Sequence, residues 1–139
     1  MPAPRTGDPV PAIERRPTRA QLFLFSAATW NAHRIHYDQP YARDDEGYPD
    51  VLVQAHLHAC FLTQAVRGAC GPDARLRRFG WQNRGPAIPG DVLTVSGTVS
   101  GVTPTPEGVE VAFELAEHNQ RGELCVKGWA TAVLPGDPA

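Results

Sequence analysis

The stretch Val51–Gly68, VLVQAHLHACFLTQAVRG, decides the fold of this chain. Its apolar residues occur on every side of a helical wheel, and Arg67 is its only Lys, Arg, Asp or Glu. A helix that is apolar nearly all round has to be buried on several faces. At about 1.5 Å per residue the stretch spans roughly 27 Å, the width of a small domain. Because Gly71 and Pro72 follow closely, the sequence predicts one long central helix that ends near Gly68.

The chain after this helix predicts four β-strands. In the runs Leu93–Ser100 and Val109–Ala116, apolar side chains alternate with polar or small ones at a period of two. This period is typical of antiparallel strands that turn one face to the core. The runs Leu76–Asn83 and Leu124–Leu134 complete the set, and short connections join the last three strands as hairpins.

The chain before the helix contains three different segments. Residues 1–20 hold five prolines and predict a flexible Pro-rich tail. The apolar run Leu22–Phe25 predicts a short buried strand, and residues 33–47 predict short helical turns broken at Pro40. We therefore expect an α+β domain over residues 21–134, with a sheet of about five strands wrapped around one helix, and a second short tail over residues 135–139.

Composition excludes several classes of protein. A chain of 139 residues fits one domain, and 13 basic against 15 acidic residues argue against nucleic acid as a partner. Three cysteines without framework spacing do not predict a disulfide scaffold. The chain has no apolar run of about 18 residues and no signal-peptide pattern, so a membrane is not an expected partner and the expected location is cytoplasmic.

The histidines are the side chains best suited to act as metal ligands or as acid–base groups at neutral pH. Four of the five lie within a 26-residue window, and they leave three readings open: metal ligands, satisfied structural groups, or acid–base catalysts. No cysteine or carboxylate completes a known ligand spacing, so no metal site is predicted. A structural role suits His56, His58 and His118. The segment of residues 31–38, NAHRIHYD, is dense in titrating and hydrogen-bonding groups and lies between predicted rigid elements, which makes it a candidate acid–base site.

A family resemblance rests on the same segment. The motif Asn-x-His-Arg-Ile-His-Tyr-Asp at residues 31–38, followed by Glu-Gly-Tyr-Pro at 46–49, resembles the MaoC-like dehydratases, which have a single hot-dog domain. More narrowly it is similar to the branch that holds mesaconyl-CoA hydratase and 3-hydroxyacyl-thioester dehydratase. A hot dog is an antiparallel sheet wrapped around one long central helix. The resemblance therefore implies that Val51–Gly68 is that helix.

The resemblance also implies the roles of individual residues. The wider family places an Asp and a His five residues apart, where this chain has Asn31 and His36. His36 would then move protons, and Asn31 would position water or a β-hydroxyl, because an amide does not accept a proton at pH 7. The backbone amides of Ala55 and His56 would bind the thioester oxygen. The other site residues implied are Gln54 and Tyr48 as substrate-binding groups, and His33, Arg34 and Tyr37 as supporting groups.

The function implied is that of a hydro-lyase acting on an enoyl or 3-hydroxyacyl thioester of CoA or of acyl carrier protein, without a cofactor. Sites of this family lie between two hot-dog units, so a homodimer or a higher homo-oligomer is expected. Departures at Asn31, at Asp50 and at Gln54-Ala55-His56 leave two alternatives. One is a repurposed hot-dog dehydratase or cyclase that acts on a non-CoA intermediate, and the other is a non-catalytic hot-dog subunit.

Overall fold

A five-stranded antiparallel sheet forms the body of the protein, in a computed structural model that describes residues 4–135. The strands are β1 (Pro9–Arg15), β2 (Arg75–Asn83), β3 (Leu93–Thr105), β4 (Gly108–His118) and β5 (Leu124–Pro135). Their order in the sheet is β1-β3-β4-β5-β2, so the last three strands in sequence pair as consecutive hairpins while β1 and β2 form the two edges. The four strands predicted after the helix are confirmed.

Two α-helices and two short helical segments accompany the sheet. The helix α1 (Arg19–Thr29) is followed by a 3-10 turn at Arg34–His36, a π-helical turn at Tyr41–Asp45, and the long helix α2 (Ala55–Cys70). Helix α2 contacts all five strands and buries Leu57, Phe61 and Leu62 among them. The predicted α+β class, with a five-stranded antiparallel sheet, is therefore confirmed, and α2 packs against that sheet.

The bounds of the central helix differ from the prediction at both ends. Residues 51–54 are extended, because the amides of Leu52 and Val53 donate to the carbonyls of Ile35 and Ala87 instead of continuing a helix. At the other end the helix runs past Gly68 to Cys70, and Gly71 follows with a φ of 85°. Tertiary hydrogen bonds thus delay the start of α2 until Ala55.

The strand predicted at Leu22–Phe25 is wrong, because these residues lie in α1. The hydroxyl of Thr18 caps this helix by accepting a hydrogen bond from the amide of Gln21. Leu22 and Ser26, four residues apart, are its buried side chains, whereas Phe23 and Leu24 are exposed. The four consecutive apolar residues therefore belong to a helix that buries only a narrow stripe of side chains, and the uniform run gives no sign of this.

The flexible tail predicted for residues 1–20 is also wrong for most of its length. Residues 9–15 form β1, which pairs with β3 from Pro9 opposite Thr98 to Arg15 opposite Leu93. An edge strand tolerates proline, and a bulge between Val10 and Ile13 accommodates Pro11. Residues 1–3 and 136–139, the ends of the two predicted tails, lie outside the described residues.

A buried polar pair joins α2 to the sheet. His58 Nδ1 lies 2.5 Å from Glu117 Oε1 on β4, and both side chains are almost fully buried. The second carboxylate oxygen, Oε2, has no hydrogen-bond partner among the described residues. The structural role predicted for His58 is confirmed, and the partner of this histidine is a carboxylate 59 residues away.

Among the described residues, no helix is long and apolar enough to cross a membrane.

Gly128 in β5 lies where α2 packs closely against the sheet. A Cβ atom at this position would overlap Cδ2 of Leu62, a fully buried side chain that would have to shift within the core. We expect Gly128→Ala to lower the free energy of unfolding by about 1–3 kcal/mol, measured by urea denaturation. Gly101→Ala in β3 is the matched control, since its new Cβ would lie at an ordinary 3.8 Å from Ala112 Cβ. Equal stability of the two variants would contradict this packing.

Candidate active site

His36 is the buried histidine of the predicted motif. It ends the 3-10 turn, and its Nδ1 lies 2.8 Å from the carbonyl oxygen of Leu52 in the extended segment before α2. Because a carbonyl only accepts, Nδ1 carries the proton and Nε2 keeps the lone pair of the neutral ring. Burial lowers the pKa of His36 below its usual 6.5; the Leu52 carbonyl opposes this shift and nearby His33 adds to it. The ring is therefore a neutral base at pH 7.

Asn31 follows the C-cap of α1 and precedes His33 by two residues. Its backbone amide donates to the carbonyl of Ser26 at 2.9 Å, just past the end of α1. Its side-chain Oδ1 accepts a hydrogen bond from the amide of His33 at 3.2 Å, so Nδ2 is the end without an acceptor among the described residues. The rings of His33 and His36 meet edge to face with centroids 5.9 Å apart. His33 thus links the two predicted catalytic residues.

The remaining residues of the motif hold its loop in shape. His33 Nδ1 accepts from the amide of Ile35 and caps the 3-10 turn. The guanidinium of Arg34 binds Asp38, whose pKa it lowers, and lies 4.2 Å from the centre of the Tyr41 ring. The hydroxyl of Tyr37 donates to the carbonyl of Ala32 at 2.9 Å. These contacts fit the supporting roles predicted for His33, Arg34 and Tyr37.

The first turn of α2 lies beyond the segment that binds His36. The amides of Ala55 and His56 open the helix and have no acceptor among the described residues, as is usual for the first amides of a helix. They also lie at the positive end of the helix dipole. The side chain of His56 is exposed and meets the Trp81 ring edge to face, with centroids 5.3 Å apart. This turn therefore offers a ligand two backbone hydrogen-bond donors.

The side chain of Gln54 contacts α1. It is fully buried, and Nε2 donates to the carbonyl of Leu22 at 2.7 Å and to the hydroxyl of Ser26 at 2.9 Å. Both acceptors belong to α1, so Gln54 connects α1 to the start of α2. Its Oε1 is buried without a hydrogen-bond partner among the described residues, and its predicted contact with substrate stays a prediction.

Two further residues of the predicted entrance have local partners. Asp50 is buried, pairs with Arg19, and accepts a hydrogen bond from the amide of Val51 at 2.7 Å. The charge of Arg19 therefore offsets the anion that the sequence placed near the entrance. Tyr48 is half-buried, and its backbone amide donates to the carbonyl of Ala42 at 2.9 Å.

Neither a metal site nor an activated thiol is evident between residues 4 and 135. No group of three or more His, Cys, Asp or Glu side chains in that range could hold a metal ion. Burial raises the pKa of Cys70 and of Cys125 to about 11, which keeps both as thiols at neutral pH.

A small cavity beside Asn31 contains residues that the sequence analysis missed. It has a volume of about 190 Å³ and is lined by Phe23, Ser26, Ala27, Trp30, Asn31, Ala32 and Tyr37. Three of these residues, Phe23, Ser26 and Ala27, belong to α1, which the sequence analysis predicted as a strand. A helical interpretation of residues 19–29 would have placed Phe23 and Ala27 on one face at the spacing of i and i+4, with Trp30 directly after the helix.

Known proteins resemble this chain over different stretches. Mesaconyl-C(4)-CoA hydratase from Chloroflexus aurantiacus is 56% identical over 46 residues, which are 33% of this chain and 16% of the relative. The mitochondrial hydroxyacyl-thioester dehydratase type 2 of Schizosaccharomyces pombe is 28% identical over 80 residues, which are 57% of this chain and 27% of the relative. The matches therefore span well under a third of either relative's length.

The fold is shared with solved structures at low sequence identity. The MaoC-like dehydratase from Rhodospirillum rubrum superposes with a TM-score of 0.81 at 22% identity, covering 97% of this chain and 95% of that one. This likeness establishes the hot-dog fold. In sequence, the model of the family described as hydroxyacyl-thioester dehydratase type 2 matches residues 2–89, more than half of the chain. The chain therefore belongs to the hydroxyacyl-thioester dehydratase type 2 family and has the hot-dog fold.

Proposed function

We propose that the protein is a hydro-lyase that adds water to, or removes it from, an enoyl or 3-hydroxyacyl thioester of CoA or acyl carrier protein. The observation that carries this proposal is His36, a buried neutral imidazole whose Nδ1 is bound by Leu52 and whose Nε2 retains its lone pair. Asn31 precedes His36 in the chain, and two helix amides that have no acceptor between residues 4 and 135 follow it. Family membership supports the same class of reaction.

In the proposed hydration, His36 Nε2 removes a proton from water as the water oxygen bonds to the β-carbon of the enoyl group. The electron pair of the C=C bond moves toward the thioester, and charge develops on the carbonyl oxygen. The amides of Ala55 and His56 donate hydrogen bonds to that oxygen. The protonated His36 then gives its proton to the α-carbon, which regenerates the neutral ring.

Asn31 has a positioning and binding role in this scheme. With Oδ1 held by the His33 amide, Nδ2 donates a hydrogen bond to the oxygen of the water or of the 3-hydroxyl group. An amide does not take a proton at neutral pH, so His36 carries both proton transfers. A single base suits a reaction in which the proton and the hydroxyl are added on the same side of the double bond.

The alternative of a repurposed dehydratase or cyclase, acting on an intermediate without CoA, rests on Asn31 standing where the wider family has Asp. Asp50 supports it less than the sequence suggested, because Arg19 compensates its charge. A non-catalytic subunit would give no turnover with any thioester. Assays on both CoA and carrier-protein substrates separate these functions from the proposed one.

We place the protein in the reducing cytoplasm. Cys60, Cys70 and Cys125 are free thiols in the structure, which suits a reducing compartment. Recovery of the native protein from a membrane or secreted fraction of its source cells would contradict this location.

Replacement of the base is the first test of the function. We expect His36→Ala to lower kcat for hydration of a short enoyl-CoA by about 10²–10⁴-fold, because general acid–base catalysis contributes that much. The loss of enoyl absorbance follows the reaction. His118→Ala, in β4 and outside the site, is the control and keeps the wild-type rate. The proposal fails if His36→Ala is as active as wild type, or if the wild type hydrates no CoA or carrier-protein thioester.

The pH dependence tests the protonation state of His36. Because the neutral ring is the active form and burial lowers the pKa of His36, kcat/KM falls on acidification with an apparent pKa below 6.5. The neighbouring His33 contributes to that lowering, so His33→Gln moves the apparent pKa of the acidic limb upward, toward 6.5. An apparent pKa above 6.5 for the acidic limb of the wild type, or a downward shift of that pKa in His33→Gln, would contradict the role of His36 as the neutral base.

We propose that the chain acts as a homodimer or a higher homo-oligomer. The sheet has open edges at β1 and β2, and Leu76 on β2 and Trp129 on the adjacent β5 are half exposed. Sedimentation at micromolar concentration is expected to give at least twice the mass of one chain. A single-chain mass, or a stable species only with a different partner chain, would contradict self-association.

A further inference from the structure

Trp30 follows the last turn of α1 and has an exposed side chain. Its φ of 55° makes it the one residue other than glycine with a positive φ between residues 4 and 135. This is the left-handed conformation that commonly ends a helix, and glycine adopts it more readily than a residue with a Cβ. The indole is 91% exposed and makes no buried contact that would explain a bulky aromatic at this position.

Trp30 belongs to an apolar cavity that also includes Asn31. Phe23 and Tyr37 line the same cavity, and they are 59% and 42% exposed. At roughly 30 Å³ for a water-sized group, the volume of about 190 Å³ holds about six such groups. The cavity is thus smaller than the roughly 300–1,000 Å³ of pockets for drug-sized ligands, and it suits a short chain.

The polar groups of the lining show what kind of chain fits. The hydroxyl of Ser26 already binds Gln54, and the hydroxyl of Tyr37 binds the carbonyl of Ala32. Two donors then remain among the lining side chains, the Nδ2 of Asn31 and the indole N–H of Trp30. No lining residue is charged. An uncharged apolar chain with an oxygen at one end matches this set, whereas a chain ending in a carboxylate would lose its hydration without gaining a cation.

We propose that this cavity is the acyl subsite and that the preferred substrates carry a short, uncharged aliphatic acyl group. The chain lies between Phe23, Trp30 and Tyr37, and the water or 3-hydroxyl oxygen meets Asn31 Nδ2. The proposal rests on the hydro-lyase function and adds its substrate class. This expected preference for uncharged chains distinguishes the protein from hydratases of dicarboxylic acyl thioesters, which need a cation to bind the distal carboxylate.

The test compares enoyl-CoA substrates of four to ten carbons with a matched enoyl-CoA that ends in a carboxylate. The wild type is expected to show its highest kcat/KM with the short neutral chains. Trp30→Gly and Phe23→Ala each raise KM for these chains about tenfold, with a smaller change in kcat, because one aromatic wall is lost. Leu24→Ala is the matched control: Leu24 is 64% exposed on the same helix but does not line the cavity.

Thermal unfolding separates binding from structure. Trp30→Gly relieves the left-handed strain, so its Tm is equal to or above that of the wild type while its KM rises. A purely structural tryptophan would give a lower Tm. The subsite is overturned by unchanged KM values in both variants, by a preference for the carboxylate substrate, or by a lower oligomer mass of Trp30→Gly, which would make the cavity a contact between copies.

A saturated acyl-CoA distinguishes failure of the subsite from failure of the function. Butyryl-CoA cannot be hydrated, and its binding is measured by calorimetry on the wild type and on Trp30→Gly. If the wild type binds it more tightly than the variant but hydrates no enoyl-CoA, the subsite stands and the hydro-lyase function fails. If the wild type hydrates enoyl-CoA and both proteins bind butyryl-CoA equally, the subsite fails alone. Absence of both binding and turnover overturns both.

Discussion

The side-chain amide of Gln54 is the constraint on which the rest of the candidate site depends. Its nitrogen donates to Leu22 and Ser26 in α1, whereas its Oε1 is buried without a partner among the described residues. Loss of the two donated bonds would leave a second unsatisfied group in this buried environment, at a cost of about 1–3 kcal/mol. Ser26 also binds the backbone of Asn31 through its carbonyl. One side chain therefore connects the segment that carries Asn31 to the helix start that carries the Ala55 and His56 amides, and it sets their separation.

The pair formed by His58 and Glu117 holds the same helix from its other side. It ties the second turn of α2 to β4, and removing one partner would leave a buried polar group uncompensated. The close approach of Leu62 to Gly128 fixes the helix farther along. With α2 anchored to α1 at its start and to the sheet along its length, the amides of its first turn are held in place before any substrate arrives. Such preorganisation is what stabilisation of developing charge requires.

Local patterns predicted the second half of the chain well and the first half poorly. The alternation in β3 and β4 has a period of two because each strand turns one face to α2, so it can be recognised without any partner. Leu22–Phe25 carries no such signal: the run is uniformly apolar, and only the partners of Leu22 and Ser26 select a helix. Pro9 and Pro11 argued against a strand, yet an edge position and a bulge accommodate them. The motif at residues 31–38 identified Asn31 and His36 as candidates from local spacing, whereas the contacts of Gln54 with α1 could not be predicted, because they depend on a helix that the sequence analysis took for a strand.

By itself, the sequence determined the class of fold, the existence of the long helix and the candidate segment for the chemistry, since these depend on local periodicity and on a motif contiguous in the chain. Tertiary structure alone decided where α2 begins, which nitrogen of His36 is free, that Arg19 offsets the charge of Asp50, and that Trp30 borders a cavity beside Asn31. Each of these features depends either on a contact with an atom from a distant part of the chain or on the solvent exposure of a side chain, which only the packing of the whole fold defines. The pKa of His36 is lowered for the same reason, because its burial is a property of the assembled fold.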